Sequence, residues 1–347
     1  MFIFEPIAAL WFFGFGSVVG SFMNVVVYRT PHGKTILGSS RCPNCDNAIR
    51  WHDNVPMLGW FLVKGKCRDC GLPISFRYPT VEFVTGCLFF VLAMAELFSG
   101  GANLPGVVVD DWPGFVGLIA GRDVDWSLVR IYVLHVLLLS SLFCWGLIRV
   151  DQQAIPSLQI WALWLVGLAV PVVWPAVHPL SLTGQHVAAS DLGFHWRGFQ
   201  TSVFGLCAAG VLYLVWSALS RYVVPKMFAG AKPDQDADTA LLAGFGAIGL
   251  ILGWQAVASI LFLTALSRGI FAMASFRSAK LKATPLLMDV LLASVIHLCF
   301  WSRLWMLPSW PGAGSLPTAL LGSGIAILVL TFAAPPSANR LSTNSAE

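Results

Sequence analysis

Ala240-Leu-Leu-Ala-Gly-Phe-Gly-Ala-Ile-Gly-Leu-Ile-Leu-Gly253-Trp-Gln-Ala-Val-Ala-Ser-Ile-Leu-Phe-Leu-Thr-Ala-Leu-Ser-Arg268-Gly-Ile-Phe-Ala-Met-Ala-Ser275 runs for 36 residues with Arg268 as its single charge. About 20 apolar residues suffice for a helix to cross a hydrocarbon core roughly 30 Å thick, so one helix would be too long for this stretch. Two spans joined by a turn at Gly253-Trp254-Gln255 fit it better. That parity also returns Arg277, Lys280 and Lys282 to the side from which the stretch begins.

The rest of the chain follows the same pattern. Of 347 residues, 57% are hydrophobic and only 11% are charged, against about 25% charged in an ordinary soluble domain. A soluble enzyme, a disordered chain and a disulfide-stapled secreted domain are all excluded by this composition. Apolar spans are drawn at 7–28, 81–98, 131–148, 157–177, 202–222, 240–253, 256–275, 285–301 and 315–333. The last is bordered by loop-like Pro308, Pro311, Gly312 and Gly314. The expected fold is an all-α polytopic membrane protein with eight or nine transmembrane helices.

Charge placement orients it. Residues 29–80 carry Arg29, Lys34, Arg41, Arg50, Lys64, Lys66, Arg68 and Arg77 against Asp46, Asp53 and Asp69. Residues 99–130 carry Asp110, Asp111, Asp123 and Asp125 against Arg122 and Arg130. Lys and Arg accumulate on the cytoplasmic side of membrane proteins, so the first loop is expected inside and the second outside. Residues 1–28 lack a basic leader region and a small-residue cleavage site, and are expected to be a retained first transmembrane helix.

The segment 29–80 is the one long polar insertion on the inner face. At that size a domain usually needs a staple. Cys42-Pro-Asn-Cys45 and Cys67-Arg-Asp-Cys70 supply one. Each pair aims two thiolates at one point, and two pairs complete the closed tetrahedral sulfur site that structural zinc favours. Unmetallated thiols or a thioredoxin-type redox pair are the alternatives; the absence of a βαβ pattern argues against the second. Cys87, Cys144, Cys207 and Cys299 fall in spans and read as small buried hydrophobes. No internal repeat is evident. The expected organisation is 1–28 a first membrane helix, 29–80 a cytoplasmic zinc-ribbon-like domain, 81–334 a polytopic membrane domain, and 335–347 a disordered tail.

Gly16-Ser-Val-Val-Gly20-Ser-Phe-Met-Asn24 and Tyr28-Arg29-Thr-Pro31 precede the first cysteine pair. Trp51-His-Asp-Asn54-Val-Pro56-Met-Leu-Gly-Trp60, Gly65-Lys-Cys67 and Ile74-Ser-Phe-Arg77-Tyr78-Pro79-Thr-Val-Glu82 follow it. Over about 70 residues this resembles the N-terminal region of the type IV prepilin peptidases. Gly16 and Gly20 form a small-xxx-small pair that lets a neighbouring helix approach. Asn24, on the same face, could hydrogen-bond across that contact. Glu82 reads more simply as a partner of its helix dipole than as a catalytic group.

The resemblance implies an enzyme of the bacterial inner membrane that cleaves the leader of type IV prepilins or pseudopilins at the cytoplasmic face. It then methylates the new N-terminus with S-adenosylmethionine. Its partners would be those prepilins and the lipid bilayer, with no role for nucleic acid. Cleavage of this kind needs two carboxylates, one ionised and one protonated, around one water. The first is expected seven residues before a proline, but the position seven before Pro156 is Arg149, and Asp151 is the nearest acid. Ser157 also replaces an expected aspartate. The second is expected in a Gly-x-Gly-Asp-x-Lys segment. Counting back from Leu241-Leu242 aligns it with Asp238, with both glycines gone and Ala240 in place of lysine. Asp151 and Asp238 are therefore the candidate dyad, with solvated loop acids as the alternative reading for both.

Asp289, four residues after Pro285, is a third membrane acid, expected to pair with a helix partner or to snorkel to the interface. His135 and His297 read as packed core histidines. Three functions stay open at this point: a prepilin peptidase; a divergent paralogue that binds or methylates pilins, or serves as a scaffold, without cutting; and a transporter with a zinc-ribbon appendage.

Overall fold

The computed structural model describes residues 4–107, 114–115, 117, 126–180, 182, 195–222, 235–277, 285–311 and 316–333. The acids expected in the second loop at 110, 111, 123 and 125, the basic residues Lys280 and Lys282, and the tail from 335 lie outside these residues. Among the described residues the secondary structure is helical, with two isolated β-bridges.

The long helices are α1 (Phe4–Arg29), α3 (Arg77–Glu96), α4 (Ser127–Val150), α5 (Ser157–Val173), α6 (Trp196–Tyr222), α7 (Gln235–Leu252), α8 (Trp254–Arg277), α9 (Leu286–Trp305) and α10 (Leu316–Ala333). A one-turn helix, α2 (Leu58–Leu62), lies in the loop after α1. Each expected span coincides with one long helix. Six of them are long and apolar enough to cross a membrane: α1, α3, α4, α6, α8 and α9. The apolar helices α5 and α10 are shorter, and α7 opens with Asp236 and Asp238. At 1.5 Å per residue, the 17 residues of α5 reach about 25 Å.

The turn expected inside the 36-residue stretch is present. Gly253 separates α7 from α8 with φ +86°, a left-handed conformation that glycine adopts without Cβ strain.

The chain divides into two compact units. The first holds residues 1–156 with 298–302, and the second holds 157–297 with 303–347. In the first unit α1 and α3 form a tight hairpin. A Cβ on Gly16 would meet Phe89 Cβ at 2.7 Å, and one on Gly20 would meet the Glu82 Cα at 2.8 Å, so both glycines are packing devices as their spacing implies. Asn24 Nδ2 donates to the Tyr78 carbonyl at 3.3 Å, across the same hairpin. At its far end Glu96 and His135 are both fully buried and bonded at 2.6 Å, and Asn103 Nδ2 donates to the Leu298 carbonyl.

In the second unit α6 and α7 cross at Gly205 and Gly249, where a Cβ on either would collide with the other's backbone. Ser202 Oγ donates to the Gly167 and Leu250 carbonyls and His178 Nε2 lies 3.1 Å from the latter, so a buried polar seam runs through this unit. His297 is buried with its Nδ1 2.9 Å from Ser259 Oγ. Both histidines are core residues. Cys207, expected inside the protein, is exposed on α6. Composition alone does not say which face of a membrane helix meets lipid, and a thiol is apolar enough for either.

Candidate metal centre and membrane carboxylates

The insertion after α1 is built on two backbone knuckles of one geometry. In the first, the Cys42 amide donates to Asn47 O at 3.0 Å and the Asp46 amide to Cys42 O at 2.9 Å. In the second, Cys67 donates to Leu72 O at 2.8 Å and Gly71 to Cys67 O at 2.9 Å. Asp46 and Gly71, the equivalent residues, both have positive φ, at 55° and 74°. The flanking bridges Arg41–Ala48 and Lys66–Pro73 repeat as well. This is an internal repeat with an offset of 25 residues (Cys42 to Cys67), contrary to the sequence reading. It escapes inspection because what recurs is the hydrogen-bond pattern, while the side chains between the cysteines differ.

The repeat brings four sulfurs together. Cys42 Sγ lies 3.6 Å from Cys70 Sγ, and Cys45 Sγ 4.0 Å from Cys67 Sγ. All four lie within 4.8 Å of one another. A tetrahedral shell with metal–sulfur bonds of ~2.3 Å separates its sulfurs by about 3.8 Å, so the cluster fits a metal ion. Hydrogen bonds from the Asn44 side chain and the Leu72 amide draw Cys70 down to about 6. The Asn47 backbone favours the Cys45 thiolate, but desolvation and the three neighbouring thiols outweigh it and push Cys45 up to about 12.

Ion pairs brace the cluster. Arg68 grips Asp53 through Nε at 2.8 Å and Nη2 at 2.5 Å, and holds that carboxyl below its usual range. Arg50 pairs with Asp69 at 3.1 Å. Trp60 Nε1 donates to the Ile74 carbonyl at 3.0 Å while its ring covers Gly65, where a Cβ would come within 2.7 Å of the indole.

Glu82 ties this insertion to the hairpin. Its Oε2 accepts the Met57 amide at 2.6 Å, and Met57 has φ +59°, a strained conformation for a side chain of its size. Glu82 lies five residues into α3, beyond the first turn, so the dipole reading is corrected. Its partner is the loop. Nothing in the local sequence foretells that contact, because it joins residues 25 apart in sequence.

Asp151 belongs to the first unit. It caps the C-terminus of α4, followed by Gln152 with φ +58°, so the backbone between Arg149 and Pro156 is irregular. Both Asp151 oxygens accept from Arg77, at 2.5 and 2.8 Å, with each side chain a little over one-third exposed. Arg149 donates to the Gln153 carbonyl at 3.0 Å.

Asp238 belongs to the second unit. It is a helical residue in the first turn of α7 and is 5% exposed, which corrects its reading as a solvated loop acid. Carboxylates are favoured in the first turn by the helix dipole, so α7 begins before the apolar run does. Trp216 Nε1 on α6 donates to Asp238 Oδ1 at 3.2 Å. Asp289 is ion-paired to Arg268, the lone charge of the 36-residue stretch, and also accepts from Ser267 Oγ at 3.3 Å. It is a partnered membrane acid, as its position implies.

The bacterial peptidase A24 N-terminal domain family matches residues 15–96, the α1–α3 hairpin with its four-sulfur insertion. A prepilin leader peptidase/N-methyltransferase of Klebsiella pneumoniae is 32% identical over 256 residues, covering 72% of this chain and 86% of that protein. The chain belongs to that family. A relative of the same name from Aeromonas salmonicida (strain A449) is 28% identical over 75% of this chain and 79% of its own length. One from Myxococcus xanthus (strain DK1622) is 48% identical over 88 residues, a quarter of this chain and of that protein. No solved structure matches. The matched range of the family model includes the four-sulfur insertion and ends before the helices that carry Asp151 and Asp238.

S-adenosylmethionine, the methyl donor implied by the family name, needs groups for a ribose and a carboxylate. The open pocket in the second unit is lined by Tyr213, Trp216 and aliphatic or phenyl side chains such as Leu212 and Phe245, with no charged group among them, and does not fit that donor.

Proposed function

We propose that this chain is a prepilin-processing protein of the bacterial inner membrane. It removes the leader of type IV prepilins or pseudopilins at the cytoplasmic face and methylates the new N-terminus. The Klebsiella relative, matched over most of its length, is the observation that carries this reading. The four sulfurs hold zinc, the metal for which four thiolates in a closed tetrahedron are the ordinary structural shell. The insertion lies on the cytoplasmic side, supported by its excess of Lys and Arg.

Asp151 and Asp238 are the two carboxylates of this reading. Arg77 meets both oxygens of Asp151, the geometry that suits an ionised carboxylate, and this supports the proton-accepting role for Asp151. Asp238 then supplies the protonated partner that polarises the scissile carbonyl. A buried acid in a membrane helix is costly and signals function by default, which supports its inclusion. Methylation rests on the names of the relatives.

The Arg77 clamp also favours a second reading. A carboxylate saturated by a guanidinium is less free to take a proton from water, and a paralogue that binds pilins without cutting them would tolerate that. A cell-based assay with a prepilin from the same genome decides between them. Leader removal by the wild type, lost in Asp151→Ala and Asp238→Ala, supports the peptidase. No processing by the wild type overturns it in favour of the paralogue, and processing that survives both substitutions removes the dyad assignment.

A further inference from the structure

Helix α2 presents an apolar face that the protein itself does not cover. Its inward side is set by Gly59, where a Cβ would collide with the Asp53 carbonyl, so α2 packs against the Trp51–Asn54 turn through that residue. Positions three and four apart share a helix face. Leu58, Phe61 and Leu62, at those spacings from one another, form one apolar stripe and are 60%, 59% and 64% exposed.

Two observations say what meets this face. The first is depth. The Met57 amide, one residue before Leu58, is bonded to Glu82, and Glu82 lies five residues into α3. At 1.5 Å per residue that is about 7 Å along the membrane helix from its start. Helix α2 therefore lies beside the hairpin and not beyond its end. Tyr78 and Phe83 on α3 bracket that level and are themselves exposed, at 47% and 53%.

The second observation is charge. Arg41, Arg50, Arg68 and Arg77 are each paired with an aspartate. Lys64 and Lys66, directly after α2, are exposed, and among the described residues neither is in an ion pair. An apolar face edged by lysines whose charge has no internal partner is the composition of an interfacial segment on an anionic bilayer.

We propose that Leu58, Phe61 and Leu62 enter the boundary between headgroups and acyl chains while Lys64 and Lys66 bind anionic lipid phosphates, so that the four-sulfur insertion lies on the membrane surface. This does not depend on leader cleavage.

The test uses the full-length protein in nanodiscs that contain a diazirine-acyl lipid, with phosphatidylglycerol or phosphatidylcholine as the bulk lipid. After photolysis, adducts are mapped by mass spectrometry. The tryptic peptide beginning at Trp51 is expected to carry lipid adducts in phosphatidylglycerol discs. Yield should fall at least threefold in phosphatidylcholine discs and in the Lys64→Glu/Lys66→Glu variant, and at least threefold in Phe61→Ser/Leu62→Ser. Adducts on α1 peptides serve as the folding and insertion control and should stay constant. Adducts confined to the membrane helices overturn the proposal, as does a yield indifferent to lipid charge. A crosslink from this peptide to a second copy of the chain, in place of lipid, overturns it by assigning the face to a protein interface.

Discussion

Arg77 and Asp151, 74 residues apart in sequence, meet through two hydrogen bonds of 2.5 and 2.8 Å. The pair fastens the irregular turn after α4 to the start of α3, where the four-sulfur insertion returns to the membrane hairpin. A partly exposed ion pair contributes only about 1 kcal/mol or less to stability. Its larger effect is to orient the carboxylate.

Arg77→Ala is accordingly expected to leave the melting temperature within about 2 °C of wild type while lowering prepilin processing at least tenfold. Asp151→Asn should lose as much, and the double variant no more than either alone. Additive losses in the same cleavage assay would show that the two residues act separately.

Removing the carboxylate that receives the Met57 amide should loosen the insertion without dismantling the hairpin. Glu82→Ala leaves that amide without its acceptor, at a cost of about 1–3 kcal/mol. Hydrogen exchange at Met57 should rise at least tenfold, and protease should nick residues 50–66 sooner. Glu82→Gln retains an acceptor and should lose less.

The glycine pair in α1 gives a sharper contrast. A Cβ at Gly20 would lie 2.8 Å from the Glu82 backbone, and one at Gly14 would meet nothing within 4 Å. Gly20→Val is expected to destabilise the protein by about 1–3 kcal/mol through overpacking. Gly14→Ala should be neutral or slightly stabilising, since alanine is the better helix former. Thermal unfolding in detergent measures both.

Metal analysis of the purified protein should give about one zinc per chain. Cys42→Ser or Cys67→Ser should lose it, because each knuckle supplies two of the four sulfurs. Since thiolates are the ligands, acidification should release the metal with uptake of protons. A metal-free wild type, refolded with zinc and still empty, would remove the staple.

Asp53 has a pH signature of its own. Arg68 lowers its carboxyl below the ordinary value, so its contribution to stability is fully present above that value of about 3.9. It is lost as pH falls through the lowered folded value. The difference in melting temperature between wild type and Asp53→Asn should therefore be constant from pH 7 to about 5 and vanish in stronger acid. Arg68→Ala should remove most of the difference, with His52 and Arg50 supplying the remainder.

Much of the fold was legible because membrane helices announce themselves by length and apolarity. The nine spans were drawn from those two properties, and Gly253 marked the hairpin that no single helix could replace. The small-xxx-small spacing of Gly16 and Gly20 was legible for a related reason, since close approach demands a missing Cβ wherever the partner lies. The knuckle repeat was not, because it is written in backbone hydrogen bonds. Nor was the burial of Asp238, since its flanking residues read as a polar loop and only the helix they form turns it inward. Glu96 drew no notice beside His135, although the two make a fully buried carboxyl–imidazole hydrogen bond.

By itself the sequence determined an all-helical polytopic fold with a four-cysteine insertion, because apolar span length and cysteine spacing are written along the chain. Membership of the family rests instead on likeness to its relatives. Tertiary structure alone decided the partners of its acids: Asp151 with Arg77, Glu82 with the Met57 amide, Asp238 with Trp216, Asp289 with Arg268. A carboxylate can be satisfied by any donor within about 3 Å, and which donor arrives there depends on helices meeting in space, not on neighbours in the chain.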